Sequence, residues 1–290
     1  MFDTRNSRIR AHRRTPKRQR RRGQVGVVAG LTVLVLLSLG PYVFMLGTSV
    51  KDNLQFATSY WLPTWPLHLG NYATAWKQIS PYLLTSLIVA AAAIVGILAL
   101  SAVAGFVLAR YSFPGRRFLF AMIAALMMVP SISSLIPLFV MMRDFGLLNT
   151  YAVLIIPHVA GGVVLGTILM KTFVEGIPQS MFDAARTDGA GGVRMFTSIM
   201  LPLSMPVIGT IALVTVNGVW NDFFWPLLTI TKDQYRTVSV GLLFFHGQSG
   251  TDYGPMFAGY TLASLPLLVG FVLLSKHFLA GVQGGLPGSH

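Results

Sequence analysis

The stretch MFDAARTDGAGGVRMFTSIMLPLSMP, residues 181–206, lies between two long apolar segments and determines how the rest of the chain is interpreted. Its alanine-containing start favours a helix, which three glycines then interrupt: Gly189, Gly191 and Gly192. Residues 195–200 can form a second short helix before Pro202. The stretch therefore predicts two short helices that meet at a glycine bend, within a polar island of a membrane protein. Such a shape suits docking into a cleft on a soluble partner.

Composition indicates a membrane protein. Hydrophobic residues make up 53% of the chain and charged residues only 11%, whereas soluble domains carry about 25% charged residues. A spanning helix needs about 20 mostly apolar residues. Six segments satisfy this, and we predict an all-α, polytopic membrane helix bundle with these transmembrane helices: Val25 to Val50, about Tyr82 to Ala109, Phe118 to Met142, Tyr151 to Met170, about Leu203 to Leu228, and Tyr253 to Ser275.

The basic residues predict the orientation. Ten of the 22 Lys and Arg residues precede Val25, and with Asp3 as the only acid they give this tail a charge of +9. Polybasic flanks stay on the cytoplasmic side of a membrane. Six spans then place both termini in the cytoplasm and leave only five Lys and Arg residues outside: Lys51, Lys77, Arg143, Lys232 and Arg236. We accordingly predict a disordered basic cytoplasmic tail over 1–24, the six-helix domain over 25–285, and a short C-terminal tail over 286–290.

The spacing within residues 181–206 closely resembles the cytoplasmic EAA loop of permease subunits in binding-protein-dependent, ATP-driven (ABC) importers. That family pattern runs Glu-Ala-Ala, three residues, Gly, then a hydrophobic position and Leu-Pro. Here it falls on Asp183-Ala184-Ala185, Gly189, Ile199 and Leu201-Pro202, so Asp replaces the usual Glu. The fuller pattern, with Asp188-Gly189-Ala190, looks like the carbohydrate branch of the maltose-permease type. The resemblance extends from about Pro41 to Gly285.

This resemblance implies a function and a set of partners. The chain is expected to be the pore-forming subunit of a sugar importer in the cytoplasmic (inner) membrane of a bacterium, working by alternating access. The expected partners are a second homologous permease subunit, two copies of a nucleotide-binding ATPase subunit, an extracytoplasmic sugar-binding protein and membrane lipid. The loop over 176–202 is expected to couple the chain to the ATPase subunits through seven residues: Asp183, Ala184, Ala185, Asp188, Gly189, Leu201 and Pro202.

The chain has no recognisable catalytic motif of its own. We find no GxxxxGK[ST] phosphate-binding loop, no GxSxG and no HExxH. There are no cysteines, and the histidines show no metal-ligand spacing. We therefore predict a subunit that is not an enzyme and that binds no metal or cofactor, with ATP and Mg on the partner subunits.

The fifth predicted span carries a candidate sugar pathway. Four residues follow i, i+3, i+4, i+7 spacing and would share one face of a continuous helix: Asn217, Trp220, Asn221 and Phe224. Amide side chains can bind sugar hydroxyls, and aromatic rings can stack on apolar sugar faces. The segment Trp220-Asn221-Asp222-Phe223 also resembles a pattern recurrent in sugar-type permeases. The alternative is hydrogen bonding between helices. We assign Asp222 to a helix or subunit contact.

Other segments left alternatives open. The basic tail can bind nucleic acid, but it lacks interleaved aromatic residues, so we favour a topogenic role against anionic lipid and predict no nucleic-acid partner. Aromatic residues between Asp52 and Ser80 suit an interfacial belt or contact with the sugar-binding protein. The alternative function is an ion- or proton-coupled secondary transporter, which would need a pathway of acidic residues or inverted repeats.

Overall fold

The computed structural model describes residues 17–62, 64–244 and 251–284, with side chains described between residues 26 and 273 of these ranges. Within them the chain contains helices and connecting turns and no β-strand. The predicted all-α bundle is therefore confirmed. The α-helices are α1 Lys17–Ser49, α2 Asn53–Thr58, α3 Gly70–Arg110, α4 Arg116–Leu126, α5 Leu135–Asp144, α6 Tyr151–Glu175, α7 Gln179–Thr187, α8 Gly192–Met195, α9 Leu201–Leu203, α10 Met205–Asn221, α11 Phe224–Thr229, α12 Val238–Gly241 and α13 Tyr253–Gly284.

Four helices in the described part of the chain are long and apolar enough to cross a membrane by themselves: α1, α3, α6 and α13. Two bent helix pairs bring the number to six if each pair is one span. The first pair is α4 with the segment Ser131–Asp144, and the second is Gly192–Leu203 with α10. The number of spans matches the predicted six if each bent pair counts as one span.

The broken spans correct two predictions. The third span is bent by 88°, because Pro130 has no N–H to continue the helix and takes an extended conformation. The fifth span does not run to Leu228, since α10 ends at Asn221 and Asp222 is extended, with ψ of 117°. Its N-terminal side is also bent, by 71°, at Ser204.

Two helix starts differ from the prediction as well. The second span begins at Gly70 rather than near Tyr82, because its first turns are held by packing: Ala75 and Ile79 are both fully buried. Apolar periodicity does not report such contacts. Helix α1 begins at Lys17, inside the predicted disordered tail. The rest of that tail and residues 286–290 lie outside the described residues.

Helix α3 is at the centre of the bundle and packs along α6, α10 and α13. Its contact with α6 is close because glycines on each helix lie against side chains of the other. A Cβ atom added to Gly105 would lie 2.7 Å from Cβ of Met170. Small residues let helix backbones approach in this way within membranes. A buried cluster continues from this contact to the predicted docking loop and includes Ile97, Phe106 and Phe182.

Candidate functional site

The predicted coupling loop folds as two short helical segments joined by a glycine turn, as the sequence predicted. Helix α7 ends at Thr187, and Gly189 adopts φ of 78°. The N–H of Gly189 donates to the Arg186 carbonyl at 3.0 Å, and that of Ala190 donates to the Ala185 carbonyl at 2.8 Å. These two bonds form a Schellman motif, which needs a left-handed residue at the position of Gly189. The bend is therefore set by local hydrogen bonding.

The second segment runs continuously from Gly192 to Leu203, with a π-helical turn at Phe196–Met200. The prediction that Pro202 would end this helix is wrong. Pro202 lies in the last turn of this continuous segment, directly after the π-helical turn, and the helix runs one residue beyond it. The helical direction changes only after Leu203.

Two aromatic side chains, Phe182 and Phe196, anchor the loop to the bundle by contacting Phe106 of α3. Phe182 projects from α7, is only 1% exposed, and lies 6.2 Å from Phe106 of α3 between ring centroids. Met195 and Met200 of the second segment belong to the same buried cluster. Burying a phenylalanine side chain stabilises a fold by about 1.5–3 kcal/mol. The loop is thus part of the rigid core rather than a free connection.

An arginine at the end of α3 joins three elements at this point. The Arg110 guanidinium donates to Oε1 of Gln179 at 2.8 Å, to the Ile177 carbonyl at 2.5 Å and to the Val174 carbonyl. Its Cζ lies 4.2 Å from the centroid of the Phe182 ring. These acceptors belong to the end of α6, the following turn and α7. Sequence reasoning assigned Arg110 only to the cytoplasmic side of the membrane, and no local motif indicates its partners.

The structure divides the seven predicted coupling residues by exposure. Five are exposed, and two are half-buried against the core: Ala185 and Leu201. The Asp183 carboxylate accepts hydrogen bonds from Nε2 of Gln179 at 3.0 Å and Nη1 of Arg186 at 3.3 Å. Beside it the loop exposes apolar side chains, among them Met181 and Val193, the latter 79% exposed. The outer face of the loop, which we call the docking face, comprises Met181, Asp183, Ala184, Asp188 and Val193.

The four predicted pathway residues do not share one face. Asn217 and Asn221 are exposed together, and Nδ2 of Asn221 donates to the carbonyl of Asn217 at 2.9 Å and to its Oδ1 at 3.3 Å. Trp220 is buried in the bundle, where Nε1 donates to the Ala263 carbonyl at 3.2 Å. Phe224 lies in α11, beyond the break that follows α10, and is 63% exposed. The predicted shared face is therefore replaced by a pair of amide side chains, Asn217 and Asn221, and a separate exposed ring, Phe224.

A histidine–aspartate pair that sequence reasoning missed lies at this break. Nε2 of His158, on α6, is 3.2 Å from Oδ2 of Asp222. Oδ1 of the same carboxylate accepts from the Trp225 backbone N–H at 3.4 Å, and Ser239 Oγ donates to the Asp222 carbonyl at 2.5 Å. The predicted helix contact of Asp222 is thus with His158. A lone histidine in an apolar segment was the one available signal, and its partner lies 64 positions further along the chain.

Two cavities open on either side of His158. One, of about 270 Å³, is lined mainly by α6 and α10, with Gly161, Leu165 and Thr215 among its residues. The other, of about 280 Å³, contains His158, Asp222 and Phe224 together with Ser131. Asn217 and Asn221 line neither cavity. Within the described residues no group of three or more potential metal ligands occurs.

Comparison with known proteins gives a consistent relationship over most of the chain. Residues 101–283 match the family described as "Binding-protein-dependent transport system inner membrane component". The chain is 30% identical over 272 residues to the probable ABC transporter permease protein YurM of Bacillus subtilis, covering 93% of this chain and 90% of the relative. It is 31% identical over 251 residues to the diacetylchitobiose uptake system permease protein NgcG of Streptomyces coelicolor, covering 84% and 82%.

A solved structure shows the same fold. It is a chain of a bacterial ABC transporter involved in the import of the acidic polysaccharide alginate, with a TM-score of 0.79 and 21% identity. The match covers 91% of this chain and 98% of that one. The broken spans and the loop helices described above thus belong to a fold found in an importer.

Proposed function

This chain belongs to the family of binding-protein-dependent transport system inner membrane components, and we propose that it is the non-catalytic, pore-forming permease subunit of an ATP-driven sugar importer in a bacterial inner membrane. The family membership sets aside the ion- or proton-coupled secondary transporter. The sugar class is inferred from relatives, of which NgcG is named for diacetylchitobiose uptake.

The docking face is the observation that carries this proposal. It is an exposed, mixed apolar and acidic surface on a helix that Phe182 and Arg110 hold against the bundle. Small residues such as Ala184 allow another protein to approach closely. We propose that each of two ATPase subunits receives one such loop, from this chain and from a second homologous permease. ATP and Mg are then bound by the ATPase subunits alone.

The amide pair supports a shared sugar pathway. Asn217 and Asn221 are exposed on an apolar helix, and lipid offers amide groups no hydrogen-bond partners. The pair is therefore better placed against another subunit or a hydrated pathway than against lipid. We propose that the second permease completes a pathway over this face and that an extracytoplasmic binding protein delivers the sugar. ATP-driven closure of the ATPase dimer moves the two loops together and turns the pathway outward, and hydrolysis resets it.

Substitution on the docking face tests the coupling role. Ala184→Arg places a long charged side chain on the exposed face, whereas Ala184→Ser adds only a hydroxyl and is the matched control. In the reconstituted complex, Ala184→Arg should abolish stimulation of ATP hydrolysis by the sugar-loaded binding protein, and Ala184→Ser should retain it. Normal stimulation in Ala184→Arg, at normal expression, would remove this face from the coupling interface.

Asn217→Ala and Asn221→Ala test the pathway. Residues that contact sugar should lose uptake, or change sugar preference, in a complex that still assembles. Residues that only hold helices together should lose the assembly itself. Wild-type uptake in both variants would exclude the amide pair from the pathway.

Sidedness can be tested because the chain contains no cysteine. Ser198, on the loop, and Gln234, in the connection after α11, are both exposed. The predicted topology puts Ser198 inside and Gln234 outside the cell. A membrane-impermeant thiol reagent should therefore label Gln234→Cys but not Ser198→Cys in intact cells, and the reverse pattern would contradict the topology.

A further inference from the structure

A compact lobe formed by residues 52–69 follows α1 and combines an apolar exterior with side chains that hydrogen-bond several of its own carbonyls, although the buried Thr64 hydroxyl has no partner; its described part omits residue 63. Its outer surface carries large side chains, with Trp61 77% and Trp65 84% exposed. Leu54, Leu62 and Leu69 are also exposed. From Asn53 to Leu67 the sequence has no Lys, Arg, Asp, Glu or His. An uncharged surface with exposed tryptophans is unusual for a segment that lies in water.

A buried lysine satisfies the turn that carries Trp61. Lys51 is 1% exposed, and its Nζ donates to the carbonyls of Ser59 and Tyr60 at 2.6 and 3.0 Å. Burial lowers the pKa of Lys51, because desolvation disfavours the charged ammonium. A neutral amine would still have two N–H donors for these two carbonyls. The lysine thus supplies hydrogen bonds that water would otherwise provide.

Other side chains of the lobe act in the same way. Nε2 of Gln55 donates to the Pro66 carbonyl at 3.0 Å and lies 3.5 Å from the Thr64 carbonyl. The hydroxyl of Ser59 donates to the Leu62 carbonyl at 3.4 Å. Backbone carbonyls outside regular helices must find such partners wherever water is scarce. The apolar side of the lobe can therefore lie out of contact with water.

The lobe folds back along α1 instead of standing away from it. The ring of Trp61 packs edge-on against Phe44, 5.6 Å between centroids, and Tyr60 is 5.0 Å from the same ring. Phe44 precedes the end of α1 at Ser49 by about 7–8 Å of helix rise, at 1.5 Å per residue. Around Phe44, α1 exposes Tyr42, Val43 and Leu46. The lobe thus continues an apolar surface that already belongs to a predicted span.

We propose that this lobe is seated in the headgroup region of the lipid bilayer, with Trp61 and Trp65 at the level of the last turns of α1. Tryptophan favours that region, since its ring is apolar and its N–H is polar. A soluble protein partner would be expected to meet a polar rim, whereas residues 53–67 carry no charged side chain and the pair of Asp52 and His68 lies at the two ends of the lobe. The lobe fixes the end of α1 in depth and keeps it beside α3 and α13. Asn71 of α3 donates to the Lys51 carbonyl, and Asn53 donates to Asp252, the residue before α13.

Fluorescence quenching by brominated lipid tests the proposal on the full chain. The chain is reconstituted in phosphatidylcholine vesicles brominated either near the headgroup or near the chain end. Emission from the lobe is the difference between wild type and Trp61→Tyr/Trp65→Tyr, and the same substitution at exposed Trp76 of α3 is the control. Bromine near the headgroup should reduce the difference emission about two-fold, more than deep bromine does, and aqueous iodide should have little effect. Free access of iodide with no quenching by either lipid would overturn the proposal and leave the lobe as a surface for a soluble partner.

Lys51→Met tests whether the hydrogen bonds of the lysine hold the lobe in the headgroup region. It keeps an apolar stem but removes the donors for two carbonyls, so lipid quenching of the lobe should fall and iodide access should rise. Lys77→Met, at an exposed position of α3, should change neither. Unchanged quenching in a folded Lys51→Met variant would refute the role given to the lysine. If that variant does not fold, the wild-type difference measurement still decides whether the lobe is in the bilayer.

Discussion

Replacing Arg110 should loosen the docking loop without unfolding the bundle. In the wild type its guanidinium donates to Gln179, Ile177 and Val174 and lies over the Phe182 ring. Arg110→Ala removes all these contacts; the Ile177 carbonyl loses this donor, whereas the Val174 carbonyl keeps the N–H of Ile177 at 3.1 Å. Phe182 remains buried against Phe106, so the loop should open more often but still close.

The contacts set the size of the effect. A hydrogen bond from a charged donor contributes about 1.5–3 kcal/mol net. Because Arg110 is only half-buried and its three bonds are not additive, we take the lower end for two of them, about 3 kcal/mol. Every 1.4 kcal/mol is a factor of ten, so the loop should open about 100-fold more often. Arg110→Lys keeps the charge but not the planar guanidinium. The opening frequency of the loop in this variant should lie between those of the wild type and Arg110→Ala.

Hydrogen exchange followed by mass spectrometry measures this opening directly. Peptides from residues 179–203 should lose about 100-fold of their protection in Arg110→Ala, while peptides from the middle of α3 should change little. Arg116→Ala is the matched control, because Arg116 makes a partly exposed pair with Glu175 at 3.3 Å, worth about 0–1 kcal/mol, and a long hydrogen bond to the Tyr111 carbonyl at 3.4 Å. If Arg110→Ala and Arg116→Ala exchanged alike in 179–203, the packing of Phe182 and Phe196 would hold the loop without Arg110 and the reasoning would fail.

Three further predictions concern the glycine turn, the helix contact and the half-buried carboxylate of Asp222. Gly189→Ala should destabilise the C-terminal cap of α7 by about 1–2 kcal/mol. The cost comes from its positive φ alone, because a Cβ there meets no atom within 4 Å. Gly191→Ala is the control: its φ is −73° and the space around it is equally open, so hydrogen exchange should not change. Gly105→Ala should lower the thermal unfolding midpoint of the purified chain, because overpacking costs about 1–3 kcal/mol, and Gly161→Ala, where a Cβ meets nothing, should not. Asp222→Leu should reduce the yield of folded chain by leaving a histidine unpaired, while Asp222→Asn should retain it, since an amide oxygen can still accept a hydrogen bond; equal yields would show that the carboxylate contributes no contact the fold needs.

Local chemistry was sufficient to predict the helices of the docking loop. Alanine favours helix, and Gly189 supplies a left-handed residue for the cap. Apolar length likewise predicted the spans. Both signals act over a few residues or along one helix, and so they are visible in one sequence.

Long-range contacts could not be predicted in the same way. The bonds of Arg110 reach residues more than 60 positions away, and the His158–Asp222 pair joins α6 to a helix break. The break itself was missed because Trp220 and Phe224 fit helical spacing, which carries no information on where Asp222 finds its partners. The first part of α3 was missed for a similar reason, since Ala75 and Ile79 are fixed by tertiary packing.

Helix α3 gives the molecule a lever. Its 41 residues rise about 60 Å, roughly twice the thickness of the hydrocarbon core. One end carries Arg110, which contacts α7. Near the other end Asn71 binds the carbonyls of Ser49 and Lys51 at 2.9 and 2.8 Å, which ties the helix to the lobe. If the rod pivots at its midpoint, a tilt of about 5° displaces each end by about 3 Å in opposite directions. Under the proposed coupling role, motion imposed on α7 would then be carried by one continuous helix to the residues beside Ser49 and Lys51.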